Sequence, residues 1–325
     1  MRKILGVGNA LVDIIIKLDS DRILDRFALP KGSMQLVDAA TALAVEKECA
    51  KMKRSMASGG SAANTIHGLA RLGIPTGFIG TVGRDETGHF FHTDMVQAGI
   101  TPYLSFSQTQ TGRAISLVSS DSERTFATFL GAAVELSAEN LLEAYFNDCS
   151  MLHLEGYLAP LQTLVETAMK KAHKKGIRVS LDLASYNVVE SNLDFLKEMI
   201  SSYADIVFAN ESEAQAFTGL PDPVDSLHEI ARICKVAVVK IGEKGSLIQQ
   251  GDAIHSIGIK PADCMDTTGA GDLYAAGFLY GMHHALPLEK CGRIGAILAA
   301  EVIEELGAKI SDTRWEKIKQ EIKKI

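Results

Sequence analysis

Two hydrophobic periods run through the chain. Short apolar runs read as strands: Ile4 to Asn9, Ile14 to Ile16, Pro75 to Val82, Met151 to Glu155, Arg178 to Leu183, Asp205 to Ala209, Val236 to Ile241 and Ala253 to Ile259. Between them, apolar residues recur at helical spacing. Helices are predicted at Thr41 to Lys53 (capped by Thr41), Ser58 to Leu72, His89 to Ala98, Glu139 to Phe146, Pro160 to Lys175 and Asn192 to Ser201. Five more follow at Glu211 to Thr218, Asp225 to Cys234, Leu273 to Ala285, Leu288 to Glu305 and Ser311 to Lys324. From Leu136 onward the alternation is regular, which argues for a parallel sheet covered by helices on both faces. The stretch 101–130 differs. Ala114 to Val118, a turn at Ser119 to Glu123 and Arg124 to Phe129 read as a hairpin with no intervening helix. Met34 to Val37, after a turn at Pro30-Lys31-Gly32, reads as a short strand.

The chemistry concentrates where glycines precede helices. Met265-Asp266-Thr267-Thr268-Gly269-Ala270-Gly271-Asp272 stands between a strand-like run and a helix of small residues. The first amides of a helix lack partners and its dipole is positive there, so such a turn can hold an anion. A carboxylate beside an anion is repulsive unless it has a task. The natural task for Asp272 is to accept a proton from a hydroxyl that attacks a bound phosphoryl group. Its place at a helix start leads us to expect a low pKa. The alternative is a connecting turn with Asp272 as a cap. Ser58-Gly59-Gly60-Ser61-Ala62-Ala63-Asn64 is a second such turn, with Asn64 about one helical turn in, and it suits neutral hydroxyls. Asp13, between two strand-like runs, either binds a polyol through its two oxygens or closes a turn.

Other polar residues fall at predicted strand ends, where ligands of parallel sheets bind: Glu155, Asp182, Asn210 and Lys240. Asn210 and Glu213 can face one metal–phosphate site, form a capping box, or do both. Ala296, Ala299 and Ala300 give one helix a smooth face that suits a flat base or close helix packing. Arg113 and Arg124 flank the hairpin and either reach a phosphate or lie in solvent.

Composition narrows the class. The chain has 325 residues, is 46% hydrophobic and 22% charged, and carries a net charge of −7. That suits a globular protein with a sizeable core and argues against a nucleic-acid partner. Five cysteines without a C-x-x-C pair fit reduced thiols in the cytoplasm rather than disulfides or zinc. Met1-Arg2-Lys3 starts like a signal peptide, but Gly6, Gly8, Asn9 and Asp13 interrupt the apolar run. No stretch is apolar for long enough to suggest a membrane span.

Taken together the motifs resemble the ribokinase family, the PfkB carbohydrate and nucleoside kinases, over essentially the whole length. Asp266-Thr267-Thr268-Gly269-Ala270-Gly271-Asp272 matches its C-terminal signature and the Gly59-Gly60 to Asn64 stretch its N-terminal one. Asn210-Glu211-Ser212-Glu213 matches its N-x-x-E motif, Gly6 to Ile14 its opening strand, and Gly83-Arg84-Asp85-Glu86-Thr87-Gly88 its G-x-D-x-x-G turn. The resemblance implies a single three-layer α/β/α domain over 1–325, with a mostly parallel central sheet. A small β lid, from about 14–38 and 101–130, would close over the acceptor. It implies transfer of the ATP γ-phosphoryl group to a CH2OH hydroxyl, with Mg2+, and leaves room for a monovalent cation and a homodimer. Asp272 is then the base, and the amides of Gly269, Ala270 and Gly271 the anion hole. Asp13, Gly59, Gly60 and Asn64 hold the acceptor. Asn210 and Glu213 organise magnesium through water, and Gly242 and Gly245 approach ATP. The family often has Thr where this chain has Lys240, whose ammonium can meet ATP phosphates or point away.

The opening motif favours an adenosine- or ribose-type acceptor, with Leu36, Phe126, Phe129 and Tyr157 as candidates for a base slot. A hexose or keto-deoxy sugar acid is the alternative, and a non-catalytic binding protein on the same fold a third reading. A P-loop is absent, and Gly6-x-Gly8-x-x-Leu11 lacks the third glycine of a dinucleotide fingerprint.

Overall fold

The computed structural model describes residues 2–121 and 123–325. Met1 and Ser122, the latter within the turn expected at 119–123, lie outside it. The described residues form two sheets. The large sheet takes β1 (Lys3–Val7), β5 (Thr76–Gly83), β6 (Ile100–Ser107), β9 (Cys149–Glu155), β10 (Arg178–Asp182), β11 (Ile206–Asn210), β12 (Val236–Lys240), β13 (Ser246–Gln250) and β14 (Ala253–Ile257). Its order is β14-β13-β12-β11-β10-β9-β1-β5-β6. The seven strands from β12 to β6 are parallel, and β13 and β14 add an antiparallel edge. The small sheet has the order β3-β8-β7-β2-β4. Its strands are β2 (Leu11–Lys17), β3 (Met34–Leu36), β4 (Arg54–Gly59), β7 (Gly112–Val118) and β8 (Arg124–Phe129).

Strand alternation explains the three layers. Successive side chains of a strand point to opposite faces. Ile206, Phe208, Val236 and Val238 enter one hydrophobic cluster, whereas Val207, Ala209, Ala237 and Val239 enter the other. Both sets are fully buried, so the strands read as continuous apolar runs. The first cluster packs against α3 (Ser61–Arg71), α10 (Ala270–His283), α11 (Leu288–Ile303) and α12 (Asp312–Ile322). The second packs against α5 (Gln162–Lys174), α7 (Leu193–Tyr203), α8 (Glu211–Thr218) and α9 (Pro223–Ala231).

Several expectations need correction. The strand at 100–107 was expected with the small sheet; it is the parallel edge of the large one, reached from β5 through α4 (Glu86–Gln97). Strand-like patterning cannot say which sheet a strand joins. The small sheet instead takes β4, which pairs with β2 around a buried Ser58–Gly59 end. The helix expected at 139–146 is two short 3₁₀ turns. Ser137 and Asn140 close the first turn, and Leu142 is extended between them. The helix near Thr41 is α2 (Ala39–Glu48), and its cap is Asp38, which accepts from the Thr41 amide at 2.8 Å. The short helices α1 (Arg22–Arg26) and α6 (Tyr186–Ser191) were not anticipated.

Helices α10 and α11 carry the smallest residues because their backbones meet. A Cβ built on Gly277 would lie 2.6 Å from the Ile294 carbonyl and 2.8 Å from the Gly295 Cα. In an uncrowded helix, Ala in place of Gly gains about 0.5–1 kcal/mol. Here Gly277→Ala should instead lower the unfolding free energy by about 1–3 kcal/mol, as overpacking does. Urea denaturation followed by circular dichroism measures it, and a more stable variant would refute this packing.

Candidate active site

The carboxyl ends of the parallel strands open into one cleft of about 1520 Å³. It exceeds the roughly 300–1,000 Å³ of a single small-ligand pocket, so it has room for two substrates. A hollow of about 570 Å³ beside Lys197, Phe217 and Glu229 contains none of the motif residues.

The cleft's centre is the loop from Met265 to Gly271. It does not hang directly from β14, because residues 258–268 run as irregular chain between β14 and α10. The amides of Met265 and Asp266 donate to the Ile303 carbonyl at 2.7 and 3.0 Å, which ties the loop to the end of α11. The Asp266 carboxylate is buried; it accepts from the Thr268 amide at 2.8 Å and from the Gly307 amide, and it pairs with Arg124. Arg124 also donates to Thr268 Oγ1 and the Met265 carbonyl, each at 3.1 Å. Arg124 is therefore neither solvated nor free, and Arg113 pairs with Glu46 at 3.0 Å. Gly269 caps α10 in the left-handed region at φ 77°, and a Cβ there would meet Ala308 at 2.6 Å. Only glycine satisfies both conditions. The Ala270 amide is engaged by the Thr267 carbonyl at 3.1 Å, contrary to the expectation that it faces an anion. Those of Gly269 and Gly271 have no backbone partner among the described residues.

Asp272, in the first turn of α10, is fixed on both oxygens. Ser61 Oγ donates to one at 2.7 Å and Asn64 Nδ2 to the other at 2.9 Å. The expected low pKa is overturned: burial pushes the carboxyl up, against the bonds from Asn64 and Ser61 that favour its charge. The helix dipole is the smaller effect once water is excluded. Asn64 Oδ1 is buried with no partner among the described residues, an acceptor with its capacity unfilled.

Asp13 sits in mid-strand, opposite Ala57 and Ala114, and lines the cleft. Burial raises its pKa to about 7, with Lys309 opposing. Gly60, at φ 99°, starts α3 and lines the cleft; a Cβ there would strike the Asn9 carbonyl. Gly59 does not line it, and is glycine because its missing Cβ leaves room for the Asp13 carboxylate. Glu155, noted only as a strand end, binds three segments together. It accepts from the Asn9 amide at 2.8 Å, Asn9 Nδ2 at 2.7 Å and the Ala62 amide at 2.8 Å. Burial raises it to about 7. Lys309 was missed altogether. Its ammonium is buried and unpartnered among the described residues, faces Asp13, Asp94 and Asp272, and is pushed down to about 8 by burial. Its position after a helix gave no sequence signal.

On the other side of Asp272, Asn210 and Glu213 form the capping box. Glu213 accepts from the Asn210 amide at 2.8 Å and Nδ2 at 2.6 Å, and Asn210 Oδ1 accepts from the Glu213 amide at 2.9 Å. Burial raises Glu213 to about 7, helped by neighbouring Asp182. Lys240 donates to Asp182 at 2.9 Å. Gly242 and Gly245 bound a 3₁₀ turn on the cleft wall. Ala296, Ala299 and Ala300 line the cleft, while Gly292 packs against Ile248 and Ile257 and Gly295 against Tyr274, so the first half of α11 makes the close packing contacts and its second half borders the cleft. Leu36, Phe126 and Tyr157 also line it. Phe129 packs into the core instead.

This geometry has relatives. Residues 32–315 match the model of the pfkB family carbohydrate kinases. A probable sugar kinase from Rhizobium etli CFN 42 is 33% identical, covers 98% of this chain and 98% of its own, and superposes with a TM-score of 0.89. The adenosine kinase of Sinorhizobium meliloti is 33% identical over 98% of this chain and 99% of its own, also at 0.89. The cytidine kinase of Thermococcus kodakarensis is 31% identical over 270 residues, 78% of this chain and 91% of the relative. Among the described residues no helix is long and apolar enough to cross a membrane. The chain belongs to the pfkB family of carbohydrate kinases, phosphotransferases that act on a hydroxyl group.

Proposed function

We propose that this kinase phosphorylates the CH2OH group of a nucleoside, with ATP as donor and Asp272 as base. The observation that carries the acceptor is an apolar slot beside a diol-facing carboxylate. Leu11, Met34, Leu36, Phe126, Leu130 and Val134 line the cleft next to Asp13 and Asn64. Met34 is 56% exposed and Leu36 65%, large apolar side chains that a flat base would cover. A free sugar would leave them in water. Asp13 accepts from two ribose hydroxyls, and the unpartnered Asn64 Oδ1 from a further donor. The names of the adenosine and cytidine kinases point the same way. The small sheet, with Arg124 reaching the central loop, serves as the lid of a single domain.

ATP takes the other half of the cleft, its base against Ala296, Ala299 and Ile303 and its phosphates near Gly242, Gly245 and Gly271. Among the described residues no three acidic, His or Cys side chains form a direct metal cluster. The donor set nevertheless suits Mg2+, which keeps its waters and needs one or two carboxylates with phosphate oxygens. Glu213 supplies that negative charge through water, since Asp182 is already paired with Lys240. When bound, Mg2+ neutralises charge on the phosphate oxygens. Asp272 takes the acceptor's proton as the new O–P bond forms and the bond to the β-phosphate oxygen breaks. Ser61 and Asn64 keep it aimed, and its raised pKa suits a base that works near neutrality. The Gly269 and Gly271 amides, at the positive end of α10, face the charge on the phosphoryl group.

A coupled assay of ATP consumption across adenosine, cytidine, other nucleosides, ribose, fructose and 2-keto-3-deoxygluconate should show turnover with a nucleoside. Turnover confined to a hexose or sugar acid would overturn this acceptor.

Asp272→Asn should lower kcat by about 10²–10⁴, as loss of a general base does. ATP affinity, measured by calorimetry, should persist. Near-wild-type turnover would remove Asp272 from the mechanism.

The pH profile follows from the carboxylates. Burial puts Asp13 at about 7 and raises Asp272, and both must be ionised, Asp272 to take the proton and Asp13 to accept the hydroxyls. In the free enzyme kcat/KM for the acceptor should therefore be full on the alkaline side. It should fall as pH drops through about 7, rather than near the ordinary carboxylate value of about 4. A flat profile down to about pH 5 would contradict the burial of these groups.

A further inference from the structure

Lys240 ends β12 and projects into the cleft beside Asp182, which ends β10. Its ammonium donates to Asp182 Oδ2 at 2.9 Å, and the other oxygen of Asp182 accepts from the Ala184 amide at 2.9 Å. Asp182 is thus held by its own turn, and it holds the lysine. The lysine has three N–H donors, and Asp182 is its one hydrogen-bonded acceptor among the described residues. Two donors remain without a protein partner on a side chain only 17% exposed. Gly271 leaves room for the ammonium. A Cβ on that residue would lie 3.0 Å from the Lys240 ammonium, so a larger residue would make the lysine give by a few tenths of an ångström. A cation with unfilled donors therefore stands over the backbone where α10 presents its free amides.

Burial works against the charged lysine. The carboxylates of Asp182 and Glu213 outweigh it, and the ammonium keeps its proton above the ordinary lysine range. A lysine is a point charge on a flexible stem, able to follow a moving anion without a fixed fork geometry.

We propose that Lys240 is a catalytic residue whose ammonium, kept over Gly271 by Asp182, donates its two free N–H groups to the phosphoryl group as it passes from ATP to the acceptor. The inference rests on the kinase reading of the cleft but not on the identity of the acceptor. The bond between the γ-phosphorus and the β-phosphate oxygen breaks, the acceptor oxygen bonds to that phosphorus, and the acceptor's proton goes to Asp272. Lys240 stays protonated throughout and supplies charge alone. Its contact with the anion is made in transit rather than with bound ATP, so it raises kcat more than it lowers KM.

The test compares Lys240→Met with the double variant Lys240→Met/Asp182→Asn, by steady-state kinetics at saturating acceptor and by calorimetry of ATP binding. Lys240→Met should lose about 100-fold or more in kcat, the scale of one lost anion-hole donor. Its KM for ATP should move by less than about threefold, the sign of an interaction made in the transition state. The single variant leaves Asp182 buried and uncompensated and can fail to fold for that reason. The double variant removes both members of the ion pair, and it should fold and be equally slow. If it regains wild-type kcat, Lys240 merely neutralises Asp182 and the proposal is wrong. A change confined to ATP affinity would make Lys240 a ground-state ligand and also overturn it. The same comparison on slow phosphoryl transfer to water reads Lys240 without any acceptor. A wrong acceptor assignment and a wrong role for Lys240 are thereby told apart.

Discussion

Negative charge is the constraint that shapes this cleft. Asp13, Glu155, Asp182, Glu213 and Asp272 all line it, and the reaction brings phosphate into the same space. Two like charges about 4 Å apart repel by about 1 kcal/mol in water and about 4 kcal/mol near a protein surface. Without compensation the carboxylates would hold protons at neutrality, and burial does move Asp13, Glu155 and Glu213 to about 7. The fold answers with fixed positive ends. In a parallel sheet each strand's carboxyl end leads into a helix whose N-terminus faces the same side. Helices α3 and α10 start in the cleft, α8 starts beside Glu213, and Lys240 and Lys309 add two buried ammonium groups. Hydrogen bonds oppose the effect of burial on two of the carboxylates. Glu155 takes three donors and Asp272 takes Ser61 and Asn64.

Much of this was legible in the sequence, for a definite reason. The large sheet is apolar on both faces, so its strands appear as unbroken runs and its helices as periodic ones. Glycine motifs were legible because a left-handed cap such as Gly269 or a closed-off position such as Gly60 admits no other residue. What the sequence could not convey was pairing across long separations. Whether residues 100–107 joined one sheet or the other depended on a partner strand and left no local trace. The pKa of Asp272 was misread because a helix start is a local feature, whereas burial depends on distant segments such as α3, which brings Ser61 and Asn64 to it. Lys309 and the role of Asp266 were hidden in the same way. Each is an ordinary charged residue until the chain brings its partners to it.

Asp266 shows how far such a partner network reaches. Asp266 is 4% exposed, and its carboxylate receives donors from three separate parts of the fold: Thr268 within the loop, Gly307 after α11, and Arg124 at the start of β8. The first two donors fix the loop that presents the Gly269 and Gly271 amides. The third belongs to the small sheet. A buried carboxylate that loses its only cation is strongly destabilised, since amide donors do not neutralise its charge. The position of the β7–β8 hairpin and the shape of the Gly269–Gly271 turn are therefore not independent. Moving the hairpin away from the large sheet would strand Asp266, and any relief, through water or through rotation of the carboxylate, would disturb its bond to the Thr268 amide, one residue before Gly269. The residue that opens the glycine signature thus ties the wall over the apolar slot to the free amides of Gly269 and Gly271.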